Sequence, residues 1–311
     1  MKNKITCLLA GAALFGATAN AEIALADGLS ASGYIDIVAA DTDQAGTDGD
    51  RSFDSTEFEL GFNFTPAESA WSATAEFSYA TDAASTTDET SLETVAITYQ
   101  HSDALSFTFG RVYTYMGLES HDAPDNYFIS YAGVQSSDLY SADFADGVCV
   151  DYSAGDISLG VWTDAIADSS FEYYAAYTGI ENLSLAVAIT DNHIDGASNS
   201  GTTNIMATYE FGDFTIMAEN VDSEDYTTSE ENLDITSITV AYSMGDTTLA
   251  VRAVDGEYGA PTTTDYEKIS ISAFHALSDN VAVGVEYSEE ELGTDPADDI
   301  SAIGVELLYV F

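Results

Sequence analysis

Three carboxylates, Glu119, Asp122 and Asp125, and the amide of Asn126 fall close together in the stretch "LESHDAPDN". Acids grouped this way can hold a hard cation, serve as acid and base beside a nucleophile, or set the field of a passage. The second option fails on geometry. Ser120, His121 and Asp122 are consecutive, and neighbours in sequence cannot take up the mutual orientation of a catalytic triad. The other histidines, His101, His193 and His275, lie on separate segments. No Gly-rich phosphate loop, Cys/His metal cluster or basic aromatic patch is present, so the chain reads as a non-enzyme without a resident cofactor. Asp41, Asp43, Asp48 and Asp50 invite a calcium-loop reading, but an EF-hand loop counted from Asp41 has Ala45 at its fifth position and Ser52 at its twelfth, where ligands are needed.

Charge narrows the field next. The chain carries 54 acidic against 6 basic residues, and from Glu22 onward the bases are only Arg51, Arg111, Arg252 and Lys268. Such a balance repels phosphate backbones and excludes nucleic acid as a partner. Acidic disordered chains lack aromatics, whereas this one has 19 Tyr, 15 Phe and 2 Trp with 46% hydrophobic residues. It therefore folds, and with four Pro and 23 dispersed Gly nothing divides it. The first residues, "MKNKITCLLAGAALFGATANA", have a basic start, a short apolar core and a small-x-small end. They read as a secretory signal over 1–21, with a second cut site after 26, leaving one domain over 27–311. Cys7 departs with the signal, and Cys149 stands without a disulfide partner.

The candidate residues are carried by segments with an apolar residue at every second position. In "STEFELGFNFTP", Phe58, Leu60, Phe62 and Phe64 share one face and Glu57, Glu59 and Asn63 the other; "WSATAEFSYA" repeats the pattern. Sixteen such segments run from 29–40 to 300–311. Connections after even-numbered segments are tight ("GIEN", "GD", "SDN"), and those after odd-numbered ones are long and polar. An even number of strands with short turns at one rim and long loops at the other predicts an all-β fold, a closed up-and-down transmembrane antiparallel barrel. A soluble sandwich would also alternate, but it does not collect every short turn at one end. Trp71, Tyr79, Tyr99, Tyr177, Tyr209, Tyr242, Tyr287 and Tyr309 suit interface girdles. Asp36, Glu57, Glu59, Glu76, Asp151, Glu172, Glu210, Glu219, Glu286 and Glu306 take the opposite parity and are expected in the lumen, as are Arg252 and Lys268. Arg111 shares parity with Phe107 and Phe109, which would place it in lipid at ~2–4 kcal/mol near the midplane. Either a bulge at Gly110 turns it into the pore wall, or it sits at the headgroup rim.

The segment after the fifth strand contains Gly110, Arg111, Thr114, Gly117, Glu119, Asn126 and Ser130 in a pattern that resembles β-barrel porins of Gram-negative bacteria. The final strand, with Ile303, Val305, Leu307, Tyr309 and the terminal Phe311 on one face, resembles the C-terminal insertion signature of outer-membrane proteins. The resemblance implies an outer-membrane barrel whose third long loop folds into a water-filled pore. Glu119, Asp122, Asp125 and Asn126 would then constrict it opposite a basic wall. Here the wall offers only Arg111, Arg252 and Lys268, so a carboxylate-lined passage should prefer cations. The expected function is passive diffusion of small hydrophilic solutes and ions; the alternative is an adhesin or envelope-structural barrel. Implied partners are outer-membrane lipid and lipopolysaccharide, the barrel assembly machinery and two further copies in a homotrimer. Weak Ca²⁺ or Mg²⁺ bridging by acidic loops is a further expectation. Acidification for a saline habitat would also account for the charge.

Overall fold

The computed structural model describes residues 22–44, 50–82, 89–133, 144–164, 170–191, 201–224, 232–259, 264–293 and 299–311. The expected signal segment, 1–21, lies outside the described residues. Seventeen strands follow one another: β1 (Ile23–Ala26), β2 (Leu29–Gln44), β3 (Asp50–Phe64), β4 (Trp71–Asp82), β5 (Glu89–Gln100), β6 (Leu105–Tyr113), β7 (Phe144–Ala154), β8 (Ile157–Thr163), β9 (Phe171–Ile180), β10 (Leu183–Asp191), β11 (Gly201–Phe211), β12 (Phe214–Glu224), β13 (Asn232–Met244), β14 (Thr247–Gly259), β15 (Thr264–Ser278), β16 (Val281–Leu292) and β17 (Ile300–Val310). Each strand from β2 to β17 pairs antiparallel with the next, and β17 closes on β2 through partners running from Ile300↔Gln44 to Val310↔Tyr34. The ring therefore has sixteen strands and no free edge. The additional strand, β1, folds back antiparallel on β2.

Period-two alternation explains both faces. Phe58, Ile97, Tyr173, Ile205, Ile238, Ile271 and Val305 are exposed on the outside, while Glu59, Ala96, Glu172, Met206, Ser237, Ser270 and Glu306 are buried within. Girdle aromatics cluster at the short-turn rim, where Trp71 packs on Tyr99 at 4.7 Å between ring centroids and Phe214 on Tyr242 at 4.6 Å. Gly212 and Gly245 open their two-residue turns with φ near +60°, where an L side chain would be strained. At the seam, Gly33 and Phe311 exchange both backbone hydrogen bonds at 2.9 Å, and the Phe311 ring stacks on Phe58.

Many strands run further toward the long-loop rim than apolar alternation predicts. β2 continues to Gln44, β12 to Glu224, β14 to Gly259 and β16 to Leu292. There the polarity of the faces inverts, because the outer face has left the hydrocarbon. Leu233, Ile235 and Val254 point inward, while Asp222, Asp234, Asp255, Glu257, Glu267 and Glu291 face outward and are exposed. These acids are direct cross-strand partners: Asp222↔Asp234, Asp234↔Glu257, Asp255↔Glu267 and Glu267↔Glu291. Like charges so placed oppose strand pairing, and salt screens them. The folded barrel in detergent should therefore melt at progressively higher temperature as NaCl is raised from low to molar concentration, measured by thermal scanning of circular dichroism.

Candidate functional site

The connection that follows β6 is described as far as residue 133 and runs through the barrel interior. Its backbone donors meet acceptors presented by successive wall strands. Tyr115 N–H and the Thr114 hydroxyl donate to Glu172 on β9 at 2.6 and 2.7 Å. Gly117 N–H donates to Asn204 on β11, and Leu118 N–H to Glu219 on β12, which the Asn204 amide also contacts at 2.7 Å. On β16, Glu286 accepts from Ile129 N–H, Ser130 N–H and the Ser130 hydroxyl at 2.5–2.8 Å. The loop's carbonyls meet the wall's donors: Arg252 on β14 bonds Ser130 and Tyr131, Lys268 on β15 bonds Tyr131 at 2.7 Å, and the Tyr266 hydroxyl bonds Ala132 and Gly133. Irregular backbone away from bulk water requires such partners.

Apolar packing completes the anchorage. Met116, Leu118, Tyr127, Phe128 and Ala132 of the loop join Tyr174, Ala188, Met206, Met217, Val221, Leu233 and Ile235 of β9–β13 in one buried cluster. Part of the lumen is thus a packed core. Within the loop, Asn126 closes a small ring, its carbonyl accepting from Ser120 N–H and its amide donating to Ser120 O.

These contacts decide what each candidate side chain faces. Glu119 forms an ion pair with Arg252 and accepts from Ala132 N–H at 2.8 Å, so it braces the loop. Arg252 is 1% exposed, lies 4.4 Å over the Phe128 ring and approaches Glu286 at 3.9 Å; Lys268 lies 3.7 Å from Glu290. At the loop's tip Asp122 precedes a 3-10 turn, Ala123–Asp125, and Asp125 is its last residue. Desolvation, with Asp125, Glu76 and Glu93 close by, pushes the Asp122 carboxyl up to about 7 against the pull of His121, and desolvation raises Asp125. Asp151 accepts from the Tyr115 hydroxyl, and Glu57 from the Ser78 hydroxyl. Glu76 lies in the interior opposite a bulge of β5, while Glu210 is exposed near the short-turn end of β11.

Arg111 requires a correction as a wall residue. It pairs with Val95, 40% exposed on the outside, and with exposed Asp146; no register shift intervenes, and its Nε donates to the Leu92 carbonyl. Gly110 does adopt a positive φ of 133°, yet Arg111 keeps the parity of Phe109 on the outer face near the long-loop end of β6. The bulge lies instead in β5, where Ala75 pairs with Val95 but Phe77 with Leu92, leaving Glu93 and Thr94 both opposite Glu76. Leu92 consequently points out and Glu93 in, at 2% exposed. Sequence alternation missed Glu93. Its trace is two polar residues between apolar Leu92 and Val95.

A cavity of about 440 Å³ opens between the loop's His121–Tyr131 side and the wall made by β2, β3, β16 and β17, lined by Asp36, Glu57, Glu286 and Glu306. The family model for Gram-negative porins matches residues 8–295. The chain belongs to the Gram-negative porins. Its barrel is thus an outer-membrane channel, and family and fold alike point away from an enzyme; neither carries the adhesin alternative. Among solved structures, this porin is similar to Salmonella typhi OmpF in complex with daunomycin (TM-score 0.69, 16% identity, 93% of this chain and 100% of that one covered). It is also similar to an anion-selective porin from Comamonas acidovorans (0.66, 12%, 91% and 99%) and to the trimer form of in-vitro folded OmpT, an outer-membrane protein of Vibrio cholerae (0.63, 15%, 92% and 100%). At these identities the likeness concerns the fold. No curated protein matches the sequence.

Replacing Arg252 with Ala leaves Glu119 and Glu286 without their buried cation. The porin should lose about 3–5 kcal/mol, the cost of orphaning one member of a buried pair, read as a lower unfolding midpoint in denaturant. Single-channel current should at the same time become noisier as the loop works loose.

Proposed function

We propose that this porin passes small hydrophilic solutes and ions by passive diffusion, with a preference for cations, along the carboxylate-lined cavity beside the loop. The observation that carries this reading is the division of charge around that cavity. Asp36, Glu57 and Glu306 line it, while Arg252 and Lys268 are turned into the loop's carbonyls and carboxylates. An anion-selective porin shares the fold, so the sign of selectivity has to come from side chains such as these. Low-dielectric walls focus the field of carboxylates that face no base, concentrating cations and repelling anions.

In this reading Asp122, Asp125 and the loop tip narrow the path, and the chain assembles as a homotrimer in lipopolysaccharide-containing membrane. The trimer form named for the Vibrio cholerae structure supports that assembly. Residues 1–21 would direct export, and Phe311 with Tyr309 would be the insertion signal read by the assembly machinery. Deleting Phe311 should then sharply reduce the folded, heat-modifiable protein recovered from outer membranes.

Reconstituted in a planar bilayer under a KCl gradient, the porin should show stepwise conductance with a reversal potential favouring K⁺ over Cl⁻. Asp36→Asn together with Glu57→Gln should move that potential toward zero. A chloride preference would overturn the assignment of the path, and an absence of conductance would overturn the diffusion function.

A further inference from the structure

Away from the Arg252 anchorage, Glu59 on β3, Glu93 on β5 and Asp122 at the loop tip each bring a carboxylate oxygen to within 4.8 Å of the other two. Glu59 and Glu93 are 7% and 2% exposed, so water does little to screen them. Three ionised carboxylates that close would repel strongly in a dry interior. His121 offers one partial counter-charge, its Nε2 lying 3.4 Å from Glu93 Oε1. Glu59 and Glu93 are within hydrogen-bonding reach of each other, yet the buried Oε2 of Glu59 still has no partner among the described residues.

A second, separate observation comes from β2. Tyr34 is the direct cross-strand partner of Glu59, is 3% exposed, and its hydroxyl is buried with no hydrogen-bond partner among the described residues. It lies within electrostatic reach of Glu59, Glu57, Asp122 and Glu93. A buried hydroxyl ordinarily finds an acceptor; left unbonded on the strand next to Glu59, it is a fourth oxygen available to a group bound there. The bulge in β5 is what brings Glu93 here at all, since uninterrupted alternation would turn it outward.

We propose that Glu59, Glu93, Asp122 and Tyr34 form a binding site for a hard divalent cation, with Ca²⁺ the best match, which ties the loop tip to β3 and β5. Hard cations take carboxylate and neutral oxygens from several chain segments, and Ca²⁺ accepts the irregular geometry that strands and a loop can offer together. A single proton shared between Glu59 and Glu93 would remove one charge of three and leave Tyr34 unused; a divalent cation offsets two and engages all four side chains. The loop is thereby held at both ends, by Arg252 and Glu286 on one side and by the cation on the other.

The site is independent of which ions the channel prefers, and the test needs no conductance. Folded protein in detergent is melted in CaCl₂ and in EDTA. Wild type should melt higher in CaCl₂. Glu93→Gln and Asp122→Asn should lose most of that increment yet melt above wild type in EDTA, since each relieves repulsion. Asp246→Asn, an equal charge change at an exposed turn, should retain the increment. Tb³⁺ luminescence sensitised by Tyr34, competed by Ca²⁺ and lost in Tyr34→Phe, reads the site with every carboxylate present. Equal Ca²⁺ increments in all four proteins would show that the acidic rim binds the ion and would overturn the proposal. So would the absence of an increment in wild type, or one that simple acidification reproduces in EDTA, which is the behaviour of a shared proton.

Discussion

A length of irregular backbone threaded through a barrel must find a partner for each of its polar groups without the help of bulk water. That requirement organises the interior of this porin. Glu172, Glu219 and Glu286 act as acceptors for N–H groups of the loop, and Arg252, Lys268 and Tyr266 act as donors to its carbonyls. A carboxylate suits this task because its two oxygens can receive several donors at once, and Glu286 receives three. The inward acids therefore divide into those that hold the loop and those that still face open space.

In the proposed cation-preferring reading, that division sets the field of the channel. Every base spent on the loop is a base withdrawn from the wall of the passage, so anchoring and selectivity are drawn from the same small supply of positive charge. With only four bases beyond residue 22, a lumen containing both a docked loop and a basic wall would be out of reach for this sequence. The rim shows the same imbalance from outside, where β12–β16 carry facing carboxylates with no base among them in the pairs Asp222↔Asp234 and Glu267↔Glu291. Charge of one sign, tolerated wherever water or a hydrogen-bond donor is near, is the common theme of the lumen and the rim.

Alternation failed in informative places. It stops short of the observed ends of β14 and β16, Gly259 and Leu292, because apolar outward residues cease there, whereas backbone pairing continues into the aqueous rim, where outward Glu257 and Glu291 are as well placed as any leucine deeper down. It missed Glu93 because one inserted residue reverses the parity of all that precedes it. For Arg111 alternation itself points outward; the wall reading came from supposing a bulge at Gly110, where the register is continuous.

The sequence by itself determined the sixteen-strand ring, the lipid-facing and lumen-facing sets, and the inward placement of Glu57, Glu172, Glu219, Glu286, Arg252 and Lys268, because in a strand the facing of a side chain is a local matter of odd and even. What only the tertiary structure decided is which inward residues meet one another. That Glu119 finds Arg252, that Glu286 receives residues 129 and 130, and that Tyr34, Glu59, Glu93 and Asp122 converge depends on the path of a loop between residues far apart in sequence. No period within the chain records that path, because it is set by packing and by the satisfaction of buried polar groups across the whole barrel.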